Sequence, residues 1–179
     1  MCSVAGMRRR RLGSGGPLVG AVGFGAMSLS GVYGAADNDE SIATIHEALE
    51  LGVTLIDTAD VYGQGGNERL VGRALADRRD RAVVCTKFGF VDTSARAPRV
   101  DGRPEYARTA IDASLARLGL DHVDLGYLHR VDPNVPIEET LTALDRLVRD
   151  GKVREIGNSN FSGEQIDEAE SVSERQGLA

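Results

Sequence analysis

Short apolar runs that alternate strictly with helical patterns constrain this chain more than any other feature of it. Leu18–Gly25 is an apolar, glycine-spaced run that reads as a buried strand. Glu40–Leu51 then sets Ile42, Ile45, Ala48 and Leu49 on one helical face, with Asp39 as the expected N-cap and Gly52 just past the end. Val53–Ile56 is a second strand ending at Asp57, followed by an amphipathic Glu68–Ala76. Ala82–Cys85 is a third strand, followed by Thr86 and Lys87, and Pro104–Leu118 is its helix, with Ala107, Ile111, Leu115 and Leu118 on the apolar face. Val123–Leu128 ends at His129 and leads to a helix over Pro136–Val148, with Glu138 and Glu139 in the first turn, where the dipole favours carboxylates. Val153–Ile156 and a helix over Ser162–Arg175 complete the series. Short β-branched strands alternating with helices imply a parallel sheet covered by helices. An open doubly wound sheet and a barrel both satisfy that pattern. The longest connection is the polar stretch Val91–Arg103, read as a loop.

Composition narrows the function classes. The 179 residues suffice for one domain with a real core, with 41% hydrophobic and 27% charged residues. A formal net charge of −6 argues against nucleic acid, whose phosphates need clustered Lys and Arg. The single basic run, Arg8–Arg11, reads as a solvated N-terminal strand or tail rather than an export signal, because the apolar stretch after it is rich in glycine. Cys2 and Cys85 are too few for a disulfide framework, and a reducing, cytoplasmic setting fits them. No window approaches a membrane span. Residues 1–8 read as an N-terminal extension, with Met1 and Met7 both open as starts, and residues 9–179 as the folded part.

The chemistry lies at the strand ends. Asp57, Lys87, His129 and the pair Ser159–Asn160 stand just past four of the strands, and Tyr62 lies five residues beyond Asp57. A closed parallel barrel opens every strand C-terminus onto one rim, so a repeat of one strand-helix unit would gather these side chains on one surface. Together they make a sensible set. A phenol is a general acid whose ordinary pKa, near 10, needs lowering to act at neutral pH. An ammonium such as that of Lys87 would do this, and Asp57 would aim the ammonium. A neutral His129 would donate a hydrogen bond to a carbonyl oxygen. Such a set suits hydride addition to a carbonyl and needs no metal.

Five ordered segments carry a specific resemblance. Gly23–Ser28, Asp57–Gly63, Thr86–Gly89, Asp124–Pro133 and Gly151–Phe161 resemble, in order, the successive signatures of the aldo-keto reductases, with the auxin-induced and pyridoxal-reductase-like branch nearest. The resemblance implies a (β/α)₈ barrel of which about five βα units are present. It also implies NADPH-dependent reduction of aldehydes or ketones. Tyr62 would be the proton donor, Lys87 and Asp57 would tune it, and His129 would position the substrate oxygen. Ser159 and Asn160 would bind the nicotinamide carboxamide, and Met27, with Asp57, would line the cofactor cleft. No glycine-rich dinucleotide fingerprint precedes a helix, which fits that family.

Asn158 and Gly126 depart from the family pattern inside or beside strands. A complete barrel typically needs about 250 residues, and strands six to eight, with the segment gripping the 2′-phosphate, are not in this sequence. The 179-residue chain is therefore expected to be weakly active or inactive alone. A non-catalytic fragment, or a regulatory or interaction subunit on a reductase scaffold, is the alternative.

Overall fold

A computed structural model describes residues 6–13, 15–92 and 98–178. Cys2 lies outside the described residues. The chain divides into two compact units, Met1–Cys85 with Arg117–Leu120, and Thr86–Ala116 with Asp121–Ala179.

In the first unit, β1 (Arg9–Arg11) pairs antiparallel with β2 (Leu18–Gly20), so the arginine run is an exposed hairpin strand. Two of its side chains staple the hairpin: Arg9 donates to Leu18 O (3.2 Å) and Arg11 to Gly16 O (2.8 Å). The single strand expected over Leu18–Gly25 is thus two elements. Leu18–Gly20 belongs to the hairpin, and only β3 (Phe24–Gly25) joins the parallel sheet. The glycine spacing that suggested one buried run marks the break between them.

A 3-10 turn over Ala26–Ser30 leads to α1 (Asn38–Glu50). Its N-cap is Asp37 rather than Asp39: the Asp37 carboxylate accepts from the backbone N–H groups of Asp39 and Glu40 at 2.9 and 3.0 Å. α1 buries Ser41, Ile45 and Leu49; of the expected face Ile45 and Leu49 are buried, Ile42 and Ala48 are half-buried, and the stripe is rotated toward Ser41. β4 (Leu55–Asp57) follows, parallel to β3, with Asp57 opposite Gly25. A 3-10 turn over Tyr62–Gly65 enters α2 (Gly66–Leu75). α2 is more wrapped than an amphipathic helix would be. Asn67 and Glu68 are buried along with Leu70, Val71, Gly72, Ala74 and Leu75. β5 (Val83–Phe88) runs parallel to β4, with Asp57 opposite Cys85. Cys85 is fully buried, as its apolar strand context indicates.

β5 crosses into the second unit. The expected third strand ended at Cys85; the observed one runs three residues further, so Thr86 and Lys87 are strand residues. The stretch Val91–Arg103, expected to be a loop, contains an antiparallel pair, β6 (Phe90–Asp92) with β7 (Arg99–Val100); residues 93–97 of that stretch lie outside the described ones. Then come α3 (Pro104–Leu118), β8 (Val123–Leu128), α4 (Ile137–Arg149), β9 (Val153–Asn158) and α5 (Gly163–Gln176). β8 and β9 are parallel, with Tyr127 opposite Gly157. A Cβ on Gly157 would run into the Tyr127 ring, and one on Gly126 would crowd both methyls of Val153 at 3.1 Å. The small residues at those sheet positions are therefore close-packing features. α5 starts with a capping box: Ser162 Oγ accepts from Gln165 N–H (3.2 Å), and Gln165 Oε1 accepts from Ser162 N–H (2.9 Å).

The parallel sheet has β3, β4 and β5 in sequence order in the first unit, and β5, β8 and β9 in the second. Strands taken in chain order and separated by helices are the repeat of a (β/α)₈ barrel. No described helix is long and apolar enough to cross a membrane.

Candidate active site

In the first unit, the register that puts Asp57 opposite Gly25 brings the end of β4 level with the start of the turn carrying Met27. The backbone N–H of Thr58 donates to Cys85 O at 2.9 Å, extending the β4–β5 ladder one residue past Asp57. Asp57, Tyr62 and Met27 are each half-buried. The Tyr62 turn packs against both α2 and the Met27 turn. Inside this turn Gly63 (φ 54°), Gln64 (φ 53°) and Gly65 (φ 81°) adopt left-handed backbone, which reverses the chain directly after the phenol.

Beneath these turns lies a polar cluster that the sequence did not announce. Asn67 is 2% exposed. Its Oδ1 accepts from the Thr58 hydroxyl (2.6 Å), and its Nδ2 donates to Ala26 O (2.8 Å) and Ser30 Oγ (2.8 Å). Next to it, the buried Glu68 carboxylate accepts from Arg117 Nε at 2.5 Å. No local motif marks Asn67. Its partners lie 9, 37 and 41 residues away, and only folding joins them.

In the second unit, the structure brings Lys87, His129, Ser159 and Asn160 together. Lys87 and His129 are each 7% exposed. The His129 N–H of the main chain donates to Phe88 O at 2.8 Å, so the imidazole is carried on the rigid end of β8. Phe90 stands edge-on to the ring, with centroids 4.7 Å apart and planes at 64°. Burial first, then the positive charges of Lys87 and Arg130, push the His129 pKa down from 6.5 to about 4. The imidazole is accordingly neutral at pH 7. Arg130 has its guanidinium carbon 6.0 Å from the Phe90 ring centre, a cation–π distance. Sequence reasoning missed Phe90; an aromatic three residues past Lys87 was its one signal.

Ser159 N–H donates to Leu128 O (3.2 Å), and Asn160, at a left-handed φ of 59°, turns the chain away from the sheet. Asn160 Nδ2 donates to His129 O (3.2 Å) and to Ser159 Oγ (2.9 Å). The Ser159 hydroxyl proton and Asn160 Oδ1 then stand as a donor beside an acceptor. A primary carboxamide offers the complementary acceptor and donor.

Asp132 is 6% exposed. Its carboxylate accepts from the N–H groups of Gly102 (3.0 Å) and Asn134 (2.9 Å), while Thr140 Oγ1 donates to Gly102 O (2.6 Å). The loop after β8 is thereby tied to the segment entering α3 and to α4.

Residues 21–177 match the model of the aldo/keto reductase family. The chain belongs to that family. This aldo-keto reductase chain is 42% identical over 164 residues to a probable aldo-keto reductase 1 of Glycine max, covering 90% of this chain and 47% of that protein. Among solved structures, it superposes on aldo-keto reductase AKR11C1 from Bacillus halodurans in its holo form with a TM-score of 0.75 and 36% identity, over 85% of this chain and 50% of the other. The glycerol dehydrogenase AKR11B4 from Gluconobacter oxydans gives 0.78 and 37%, over 95% and 53%. The thermostable aldo-keto reductase Tm1743, in complex with the inhibitor epalrestat, gives 0.79 and 33%, over 93% and 58%. The chain thus spans about half the length of the relatives it matches. Its fold is that of the (β/α)₈ barrel, represented by five βα units.

Proposed function

We propose that the residues of this chain serve the reduction of an aldehyde or ketone by hydride from NADPH, with Tyr62 as general acid. The observation that carries the reading is His129. Held neutral by burial and by the charge of Lys87, it can donate a hydrogen bond to a carbonyl oxygen without itself carrying charge. Ser159 and Asn160 would hold the nicotinamide carboxamide through the donor and acceptor they leave open, which fixes the ring face turned toward the substrate. When bound, NADPH supplies the hydride.

The remaining roles belong to protons and to positioning. Tyr62 gives its hydroxyl proton to the carbonyl oxygen as that oxygen gains charge. Lys87 stabilises the phenolate left behind, and Asp57 orients Lys87. Met27 lines the cleft beside Asp57. Proton donation of this kind contributes about 10²- to 10⁴-fold. The substrate is a small carbonyl compound, and neither nucleic acid nor membrane enters the reading. The 179-residue polypeptide alone is expected to turn over weakly or not at all, because it spans about half of its relatives' length.

The test uses the chain alone and the chain fused after Gln176 to the corresponding remainder of the soybean relative. Loss of reduced-nicotinamide absorbance is followed with nitrobenzaldehyde. The fusion should consume NADPH only when aldehyde is present, and Tyr62→Phe should remove at least about 100-fold of that rate. Aldehyde-dependent consumption that Tyr62→Phe leaves intact rules out the assigned acid.

A further inference from the structure

Asn67 carries an inference about how the first unit holds its part of this site. We propose that Asn67 is a positioning residue that fixes the Met27 turn and the Tyr62 turn to one another, through a single amide whose polar atoms all have partners. The inference rests on the reductase reading for the roles of Met27 and Tyr62, but the geometry does not depend on it.

Three segments meet at this amide. Its two N–H groups reach Ala26 O and Ser30 Oγ, the two ends of the 3-10 turn that carries Met27. Its oxygen takes the hydroxyl proton of Thr58, the residue after Asp57. Asn67 itself is the second residue of α2, which begins where the Tyr62 turn ends. A closer link runs through Ser30. A Cβ placed on Gly63, the residue after Tyr62, would lie 3.4 Å from Ser30 Oγ. The hydroxyl that Asn67 holds is therefore the surface against which the Tyr62 turn closes.

The chemistry requires an amide. One planar group must present two donors and one acceptor in fixed directions while 2% exposed. A carboxylate would offer no donor to Ala26 O, and a hydroxyl could not reach three segments. The neighbouring buried pair secures the helix from the other side. Arg117 donates to Glu68 and lies directly against Gly65, where any Cβ would collide with its side chain. With α2 anchored by Glu68, Asn67 is the side chain that ties the start of the helix to both ends of the Met27 turn.

The experiment is NMR on the full chain, labelled at the methionine methyls and the tyrosine ring Cζ carbons, for Asn67→Ala and Ser30→Ala. Met7, which packs against Gly52 in the same unit, and Tyr106 and Tyr127 of the second unit serve as internal references. The proposal expects the Met27 and Tyr62 signals to shift and broaden together in both variants while the references hold their positions. It is overturned if Met27 and Tyr62 stay in place, if only one of them moves, or if the references move equally. Should Asn67→Ala not fold, Ser30→Ala decides alone by the same criterion. The measurement needs no turnover. A fused protein that fails to transfer hydride, with the paired shift present in the chain, would sink the reductase reading and leave Asn67 as a clamp. A fused protein that transfers hydride, with no paired shift in the chain, would do the reverse.

Discussion

Acidification should destabilise this chain chiefly through the buried imidazole of His129. The unfolded imidazole takes up a proton near its ordinary value of 6.5, whereas the folded one, buried and facing Lys87 and Arg130, does so only near 4. Between those values the unfolded chain holds the extra proton, so lowering the pH favours unfolding. Stability contributed by the neutral ring is whole above about pH 6.5 and is lost as the pH falls toward 4. The gap between the two values corresponds to on the order of 3 kcal/mol, at about 1.4 kcal/mol per pH unit. The assay is urea unfolding followed by far-UV circular dichroism from pH 7.5 to 4, on wild type and His129→Asn. Carboxylates held low by arginines, Glu50 beside Arg81, Asp77 beside Arg78 and Asp101 beside Arg103, lose their stabilisation mainly below this range, because their ordinary values are 4.5 and 3.8. They are common to both proteins and cancel in the difference. The wild type should lose on the order of 3 kcal/mol more than the variant over this range, nearly all of it below pH 6.5. Curves that stay parallel within about 0.5 kcal/mol would refute a desolvated, charge-opposed imidazole.

Further predictions concern the buried polar cluster and close packing. Asn67→Ala removes the amide that bonds Ala26 O and the Thr58 and Ser30 hydroxyls, and urea unfolding should show a loss of about 2–4 kcal/mol. Arg117→Leu removes the guanidinium from the buried Glu68 and should cost about 3–5 kcal/mol, with much of it recovered when Glu68→Leu is added, as a double-mutant cycle would measure. Gly72→Ala inverts the usual helix rule. Alanine normally gains about 1 kcal/mol over glycine in a helix interior. Here its methyl would overlap the Leu118 carbonyl, so thermal melting should show a net loss of about 1–3 kcal/mol.

How far the sequence reveals this fold depends on how local each signal is. The helix over Pro104–Leu118 and the strand over Val123–Leu128 coincide with their apolar patterns residue for residue, because the same side chains that set the period fill the core. Ser162 as a cap follows from contacts within one turn. The errors have non-local causes. Asp37 displaces Asp39 as N-cap because capping selects backbone geometry, and both residues are aspartates. The Phe90–Asp92 strand hid in a polar loop because its pairing with Arg99–Val100 leaves no periodic trace over two or three residues. Lys87 was placed beyond a strand because a cation is unusual inside one; in the folded chain it is buried beside His129. The site residues themselves were legible as polar interruptions after apolar runs. Their supports were not: Asn67, Glu68 and Asp132 look like surface residues until partners 30 to 49 residues away arrive.

The most direct trial of the account follows a deuterium atom. Incubate the fused protein with NADPH deuterated at the transferring position of the nicotinamide, add an aromatic aldehyde, and analyse the alcohol by mass spectrometry. Deuterium should appear at the former carbonyl carbon, at a rate cut about 100-fold or more by Tyr62→Phe. Unlabelled alcohol, or labelled alcohol formed equally fast without the phenol, would contradict it.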